Sequence, residues 1–173
     1  MEKIFYATKT TYPVSETAVR KILAEYFGIP EAKLERNDNG KPYLVSGELF
    51  FSVSHTKELL FIAVSDNNVG IDVENLARKT EFFSIVKKFS PAEQAEIRTK
   101  EDFLLHWTAK ESAVKWLGGS LARDLQSFRF EKGKLYYGQI ELPVYLRFIP
   151  FEGYAIAVCG ERDFADISPQ PLL

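Results

Sequence analysis

The sequence is poor in several features that would each point to a class of function. It holds one cysteine in 173 residues, Cys159, which excludes an internal disulfide framework and any multi-cysteine metal site. No run approaches the roughly 18–20 apolar residues a membrane span requires, and the opening MEKIFYATKT lacks the apolar core of a secretory signal. Neither sign of charge dominates: 22 Lys and Arg against 24 Asp and Glu leave a net charge of −2, so the chain as a whole is not built for nucleic acid or a membrane surface. There is no repeat, no low-complexity segment, and no Walker, GxGxxG or HExxH pattern. These absences lead us to expect a cytoplasmic protein in a reducing compartment, with no nucleic-acid or membrane partner.

What is present is core. Apolar residues make up 46% of the chain and aromatics 14%, with 14 phenylalanines. That suits one domain, or two small halves that share an interior. Cys159, in the apolar run YAIAVCG, reads as a small buried hydrophobe.

Lys3–Ala7 reads as a strand. A helix follows over about 16–27, with Ser15 as its N-cap and Ala18, Ile22, Leu23 and Tyr26 at helical spacing, and Gly28-Ile29-Pro30 stops it. NDNGKP (37–42) is turn chemistry, in which Asn and Asp bond their own backbone and Gly40 permits positive φ. LFFSVSH (49–55) and LLFIAVS (59–65) flank Thr56-Lys57-Glu58 as a hairpin, and DNN (66–68) turns the chain into a third strand, VGIDVE. From Glu81 to about Leu117 the pattern is helical, with Ser90-Pro91 starting a helix that includes Glu93, and FLLHWTAKESAVKWL (103–117) ending at Gly118-Gly119. Four strand-like pieces, SFRFE, KLYYG, VYLRFI and GYAIAVC, complete the chain, with Gly133 in a tight turn between the first two. The tail ISPQPLL reads as a frayed end. The expected fold is α+β, with two similar halves of helix plus antiparallel strands, divided at about 1–68 and 69–165.

Four clusters are able to carry chemistry. In VGIDVE, Asp72 and Glu74 lie two apart on an extended strand and therefore share a face, with Ile71 and Val73 on the other. Read alone, the pair is a solvated edge. Read as convergent carboxylates, it demands a compensating cation, and hard oxygen ligands suit Mg²⁺. In WTAKESAVK, Glu111 and Lys115 are i and i+4 on the face that carries Trp107. The plain reading is an exposed pair worth about 0.2–0.5 kcal/mol, although a face that points inward requires partners for its charges. Ser54-His55 closes a strand and offers either turn capping or phosphate contacts. Gly40-Lys41-Pro42 brings the backbone close to a ligand and projects Lys41 as a point charge suited to a phosphate. His106 reads as a surface or packing residue.

In order, NDNGKPYL, FSVSHT, VGIDVE and WTAKESAVK resemble the motif series of the 4′-phosphopantetheinyl transferases, in particular their two-lobed, surfactin-synthetase-activating branch, over roughly residues 16–160. The resemblance implies an enzyme that moves the phosphopantetheine arm of coenzyme A onto a serine of an acyl or peptidyl carrier protein and releases adenosine 3′,5′-bisphosphate. It implies two pseudo-symmetric α+β lobes with the active site in the cleft between them. Matched position by position, Asp72, Glu74 and Glu111 would be the acidic Mg²⁺ site. Glu111 and Lys115 would be catalytic. Lys41, Ser54 and His55 would hold coenzyme A phosphates, with Arg20 as a further phosphate contact. A chain longer than the trimeric small branch implies a monomer with one internal site. The competing readings are a non-catalytic relative that binds coenzyme A or a carrier protein, and an unrelated Mg²⁺-dependent phosphoesterase. The segment around Thr80–Lys100, with Lys87, Lys88 and Phe89, reads either as a carrier docking surface or as a solvated amphipathic helix.

Overall fold

The computed structural model describes the backbone of residues 1–173 and all side chains except those of residues 121 and 122. The chain runs twice through one order of elements. The first pass is β1 (Lys3–Thr8), α1 (Ser15–Phe27), a hairpin of β2 (Leu34–Arg36) and β3 (Pro42–Leu44), then β4 (Phe50–His55) and β5 (Leu59–Ser65). The second begins with β6 (Val69–Asn75). Short helices α2 (Phe83–Val86) and α3 (Pro91–Glu96) lead into the long α4 (Lys100–Leu117) and then α5 (Leu121–Asp124). A small meander of β7 (Phe128–Glu131), β8 (Lys134–Tyr137) and β9 (Ile140–Glu141) precedes β10 (Tyr145–Phe148) and β11 (Tyr154–Gly160), and β12 (Gln170–Pro171) ends the chain. In each pass the first strand pairs antiparallel with the last, and the last with the one before it, giving β1-β5-β4 and β6-β11-β10. The fold is mixed helix and antiparallel sheet, as the sequence pattern predicts.

Period-two alternation separates the layers. Phe5, Leu60 and Ile62 face α1 and pack on Val19, Ile22 and Leu23. Their neighbours Ile4, Phe61 and Ala63 face the second sheet and pack on Ile71, Val73, Ile156 and Val158. On the far side of that sheet, Ala109, Ala113 and Val114 of α4 share a core with Cys159, Phe128 and Leu135, so Cys159 is the buried hydrophobe expected. Small residues let α4 lie close. A Cβ on Gly70 would overlap the Ser112 carbonyl oxygen and the Trp116 amide nitrogen, both backbone atoms of the helix.

Several details depart from the sequence reading. Val14, with no side-chain bond, precedes α1, and Ser15 is already helical. The helical pattern from Glu81 breaks into three. Ser90 with Glu93 and Thr99 with Asp102 form two successive capping boxes, and each restarts the backbone. The hairpin of β4 and β5 forms as expected, but β6 does not extend it and instead joins β11. The tail is not frayed: Gln170 and Pro171 pair parallel with β1, the Leu172 amide donates to the Tyr6 carbonyl at 2.8 Å, and Leu172 is buried in the first core. His106 is a packing residue, edge-on to Phe130 and 3.1 Å from Glu96. Lys110 and Glu93 form a fully buried ion pair in which Glu93 also accepts from the Ser90 and Phe130 amides. No helix among the described residues is long and apolar enough to cross a membrane.

Candidate active site

The site is assembled where β4 lies beside β6. These strands share no backbone ladder; serine hydroxyls take its place. The Ile71 amide donates to Ser52 Oγ at 3.0 Å and the Val73 amide to Ser54 Oγ at 3.2 Å. Ser52 and Ser54 therefore satisfy the two β6 amides that a sheet neighbour would otherwise take. With Ile71 and Val73 held in the core, Asp72 and Glu74 turn to the opposite face, beneath α4.

Asp72 is 3% exposed, which overturns the solvated-edge reading of VGIDVE. Its Oδ1 accepts from Lys115 Nζ at 2.7 Å and from Ser54 Oγ at 3.0 Å, and Lys115 Nζ also donates to Ser54 Oγ at 3.0 Å. Lys115 makes its ion pair with Asp72 rather than the i,i+4 pair with Glu111 that the helix spacing suggests. Asp72 Oδ2 is buried without a hydrogen-bond partner. Glu111, 8% exposed, is pushed up to about 8, first by burial and then by the Asp72 charge. Two buried carboxylates thus lie close enough that ionisation of one opposes ionisation of the other, and Lys115 is ion-paired with Asp72.

Glu74 lies at the rim. Arg78 Nη1 donates to both of its oxygens, at 2.9 and 2.8 Å. As the side chains stand, no group of three His, Cys, Asp or Glu residues among those described is gathered closely enough to hold a metal. The donor set nonetheless fits a hard cation. An orphaned buried carboxylate oxygen and a carboxyl whose ionisation is opposed by its neighbour are both relieved by a divalent ion with oxygen preference.

The residues expected to bind phosphate are divided. Ser54 is at the centre of the cluster. His55 is exposed, with Nδ1 3.3 Å from the Thr56 carbonyl oxygen, and lines a 580 Å³ cleft with Lys57, Glu74 and Arg78. Lys41 does not project into solvent. Its ammonium donates to the Val69 carbonyl at 3.1 Å, and burial brings it down to about 8. Lys41 also edges a 280 Å³ cleft with Gly40, Pro42, Ser52 and Lys115. Arg20 is not brought to the cluster: it bonds Glu16 and the Ala32 carbonyl, on a helix that packs against the face of the first sheet away from β6.

The NDNGKP turn reaches across to α4. Asn37 Oδ1 accepts from the Asn39 and Lys41 amides, Gly40 has φ +82°, and the side-chain amides of Asn37 and Asn39 donate to the Gly118 carbonyl at 3.0 and 2.8 Å. The turn thus caps the C-terminus of the helix that carries Glu111 and Lys115. Sequence reasoning missed this contact, along with Ser52 and Arg78. The same two-residue spacing in FSVSH and in IDVE was the available signal for Ser52.

Residues 68–159, from the head of β6 into β11, match the family model of the 4′-phosphopantetheinyl transferase superfamily. The chain is 29% identical over 170 residues to a 4′-phosphopantetheinyl transferase of Bacillus subtilis, covering 88% of this chain and 75% of that protein. It is 28% identical over 160 residues to the 4′-phosphopantetheinyl transferase gsp of Aneurinibacillus migulanus, covering 85% and 67%. It is 32% identical over 139 residues to the L-aminoadipate-semialdehyde dehydrogenase-phosphopantetheinyl transferase of Mus musculus, covering 68% and 45%. The family match takes in more than half of the chain, including β6 and α4 with every carboxylate of the cluster, and this chain belongs to the 4′-phosphopantetheinyl transferase superfamily.

Proposed function

We propose that this protein transfers the 4′-phosphopantetheine arm of coenzyme A to a serine of an acyl or peptidyl carrier protein. The observation that carries the reading is the buried group of Asp72, Glu111 and Lys115 at the seam of β4, β6 and α4, within the segment that matches the superfamily.

The carrier serine oxygen attacks the phosphorus that bears the pantetheine arm. A new P–O bond forms there, and the P–O bond to the nucleotide breaks. The serine hydroxyl is a weak nucleophile until a base takes its proton. Glu111 is that base: burial gives it a higher proton affinity than an exposed carboxylate in the metal-free protein, and a cation held beside it would favour the ionised form that takes the serine proton. Lys115 meets the negative charge that collects on the departing adenosine 3′,5′-bisphosphate. Asp72, Glu74 and Glu111 are the residues that would hold Mg²⁺, and charge neutralisation at the cleaving diphosphate is the chemistry the ion supplies when bound. For Glu74 this requires release from Arg78. Lys41 and His55, at the edges of the two clefts that flank the cluster, are the proposed contacts for coenzyme A phosphates; Arg20 is omitted because its donors serve Glu16 and Ala32.

Two lobes, divided near residue 68, a single internal site in a monomer, and a cytoplasmic location belong to the same proposal. The repeated strand–helix–hairpin–strand–strand order supports the division.

Intact-mass spectrometry tests the reaction. With coenzyme A and Mg²⁺, an apo carrier protein should gain about 340 Da, the mass of the phosphopantetheine group. No adduct across a panel of acyl and peptidyl carriers would refute the transferase reading. Hydrolysis of coenzyme A without a carrier would point to a phosphoesterase instead.

A further inference from the structure

A serine hydroxyl has one hydrogen to donate and two lone pairs with which to accept. In Ser54 all three are in use. Oγ donates to Asp72 Oδ1 at 3.0 Å, accepts from the Val73 amide at 3.2 Å, and accepts from Lys115 Nζ at 3.0 Å. The residue is buried, and in the substrate-free protein its hydroxyl has no donor or acceptor position unused. Its three partners belong to β6 and α4, so this one oxygen joins the strand that carries the acids to the helix that carries the base. Asp72 is thereby held with Oδ1 doubly bonded to protein donors and Oδ2 free of any.

We infer that Ser54 is a positioning residue, whose hydroxyl fixes Asp72 so that one carboxylate oxygen is anchored and the other is presented to a cation, and that it is not a ligand of a coenzyme A phosphate. The inference rests on the proposed transferase site, but its central claim concerns Asp72 and holds for the substrate-free protein. His55, next along the strand, points the other way and is exposed. The two halves of the Ser-His pair therefore do different work: Ser54 faces the carboxylates, and His55 faces the cleft.

The test compares Ser54→Ala and Ser54→Thr with the unaltered protein. Mn²⁺, used as a paramagnetic stand-in for Mg²⁺, is titrated into substrate-free protein and followed by electron paramagnetic resonance. Groups that orient a metal ligand typically contribute 10–100-fold in metal affinity, so Ser54→Ala should weaken Mn²⁺ binding by at least about tenfold, and Ser54→Thr, which keeps the hydroxyl, should restore it. At saturating metal, kcat should fall in Ser54→Ala while KM for coenzyme A stays within about twofold. The ratio of KM values for coenzyme A and for its analogue lacking the 3′-phosphate should be unchanged. A raised KM for coenzyme A with unaltered Mn²⁺ affinity would make Ser54 a phosphate ligand and overturn the inference. Unaltered Mn²⁺ affinity and kcat would overturn it as well. Should Ser54→Ala fail to fold, Ser54→Cys, similar in size with a far weaker hydrogen bond, serves in the same comparison. If no variant or parent transfers phosphopantetheine, the transferase reading fails, while the Mn²⁺ titration still decides what Ser54 does to Asp72.

Discussion

Replacing Gly70 with alanine should damage stability and catalysis together, through a single contact. Gly70 lies directly under the α4 turn that joins Ser112 to Trp116, and an added methyl would overlap backbone atoms of that turn. Backbone has no rotamer to change, so the helix must retreat. Carbon contacts are most favourable at about 3.5–4.0 Å, which calls for a retreat of roughly 1 Å or more. Overpacking of this kind costs about 1–3 kcal/mol, and the upper end applies here because the helix backbone itself must move. For a domain of this length each kcal/mol moves Tm by about 2–4 °C, giving an expected fall of about 6–12 °C by calorimetry. The same retreat lifts Lys115 away from Asp72, now 2.7 Å distant, and carries Glu111 with it. A misplacement of about 1 Å is enough to reduce rate on the order of 10²-fold. Carrier modification, followed by intact mass at a temperature where the variant is still folded, should show that loss. A Gly70→Ala protein with unchanged Tm and undiminished transfer would show that the helix does not depend on the missing side chain.

Three further outcomes follow from the same geometry. Because Glu111 is pushed up to about 8 from an ordinary 4.5, the metal-free folded protein holds a proton there that the unfolded chain has lost. Its stabilising contribution is complete below about pH 4.5 and is lost as pH rises through 8, so Glu111→Gln should flatten the decline in urea midpoint across that window and abolish transfer; a decline of the same slope in the variant would refute the assignment. Lys41 has the opposite sense: burial lowers it to about 8 from 10.5, so the folded state binds fewer protons than the unfolded one between those values and stability rises with pH. Lys41→Met should therefore stabilise the protein at pH 7 by about 2 kcal/mol, net of the lost bond to Val69, and raise KM for coenzyme A; a destabilised variant at that pH would contradict the burial argument. Leu172→Ala should cost about 2 kcal/mol in urea unfolding, at the low end for a buried leucine, and a loss under 0.5 kcal/mol would mean the tail is not part of the first core.

The sequence was most legible where a local rule acts alone. Gly28 and Gly118 end α1 and α4 in left-handed conformation, the β4–β5 hairpin turns at Thr56-Lys57-Glu58, and the alternation around Asp72 places Ile71 and Val73 in the core. It was least legible where partners are distant. Nothing local to VGIDVE says that its amides will be met by Ser52 and Ser54, so a solvated edge was the natural reading of a buried strand. Helix spacing pairs Lys115 with Glu111, but Asp72, 43 positions earlier, offers a closer and more buried partner. The tail ISPQPLL has the composition of a loose end, and only the open side of β1 gives it a place. Three of the four motifs meet in the cluster, FSVSHT through Ser54, VGIDVE through Asp72 and WTAKESAVK through Lys115, while NDNGKP caps the helix that carries Lys115.

The tail has a consequence for the open edges of the two sheets. Each pass of the repeated topology makes a three-stranded sheet with two outer edges, and an edge invites another strand. At the seam, the outer edge of β4 meets that of β6 through Ser52 and Ser54, which leaves β1 and β10 at the two extremes. β12 lies along β1. On β10 stands Arg147, paired with Asp163 at 2.7 Å, and a charge on an edge strand discourages further pairing. The outer side of β1 is thus covered by a strand from the same chain, while the outer side of β10 carries an ion-paired charge that disfavours a further strand.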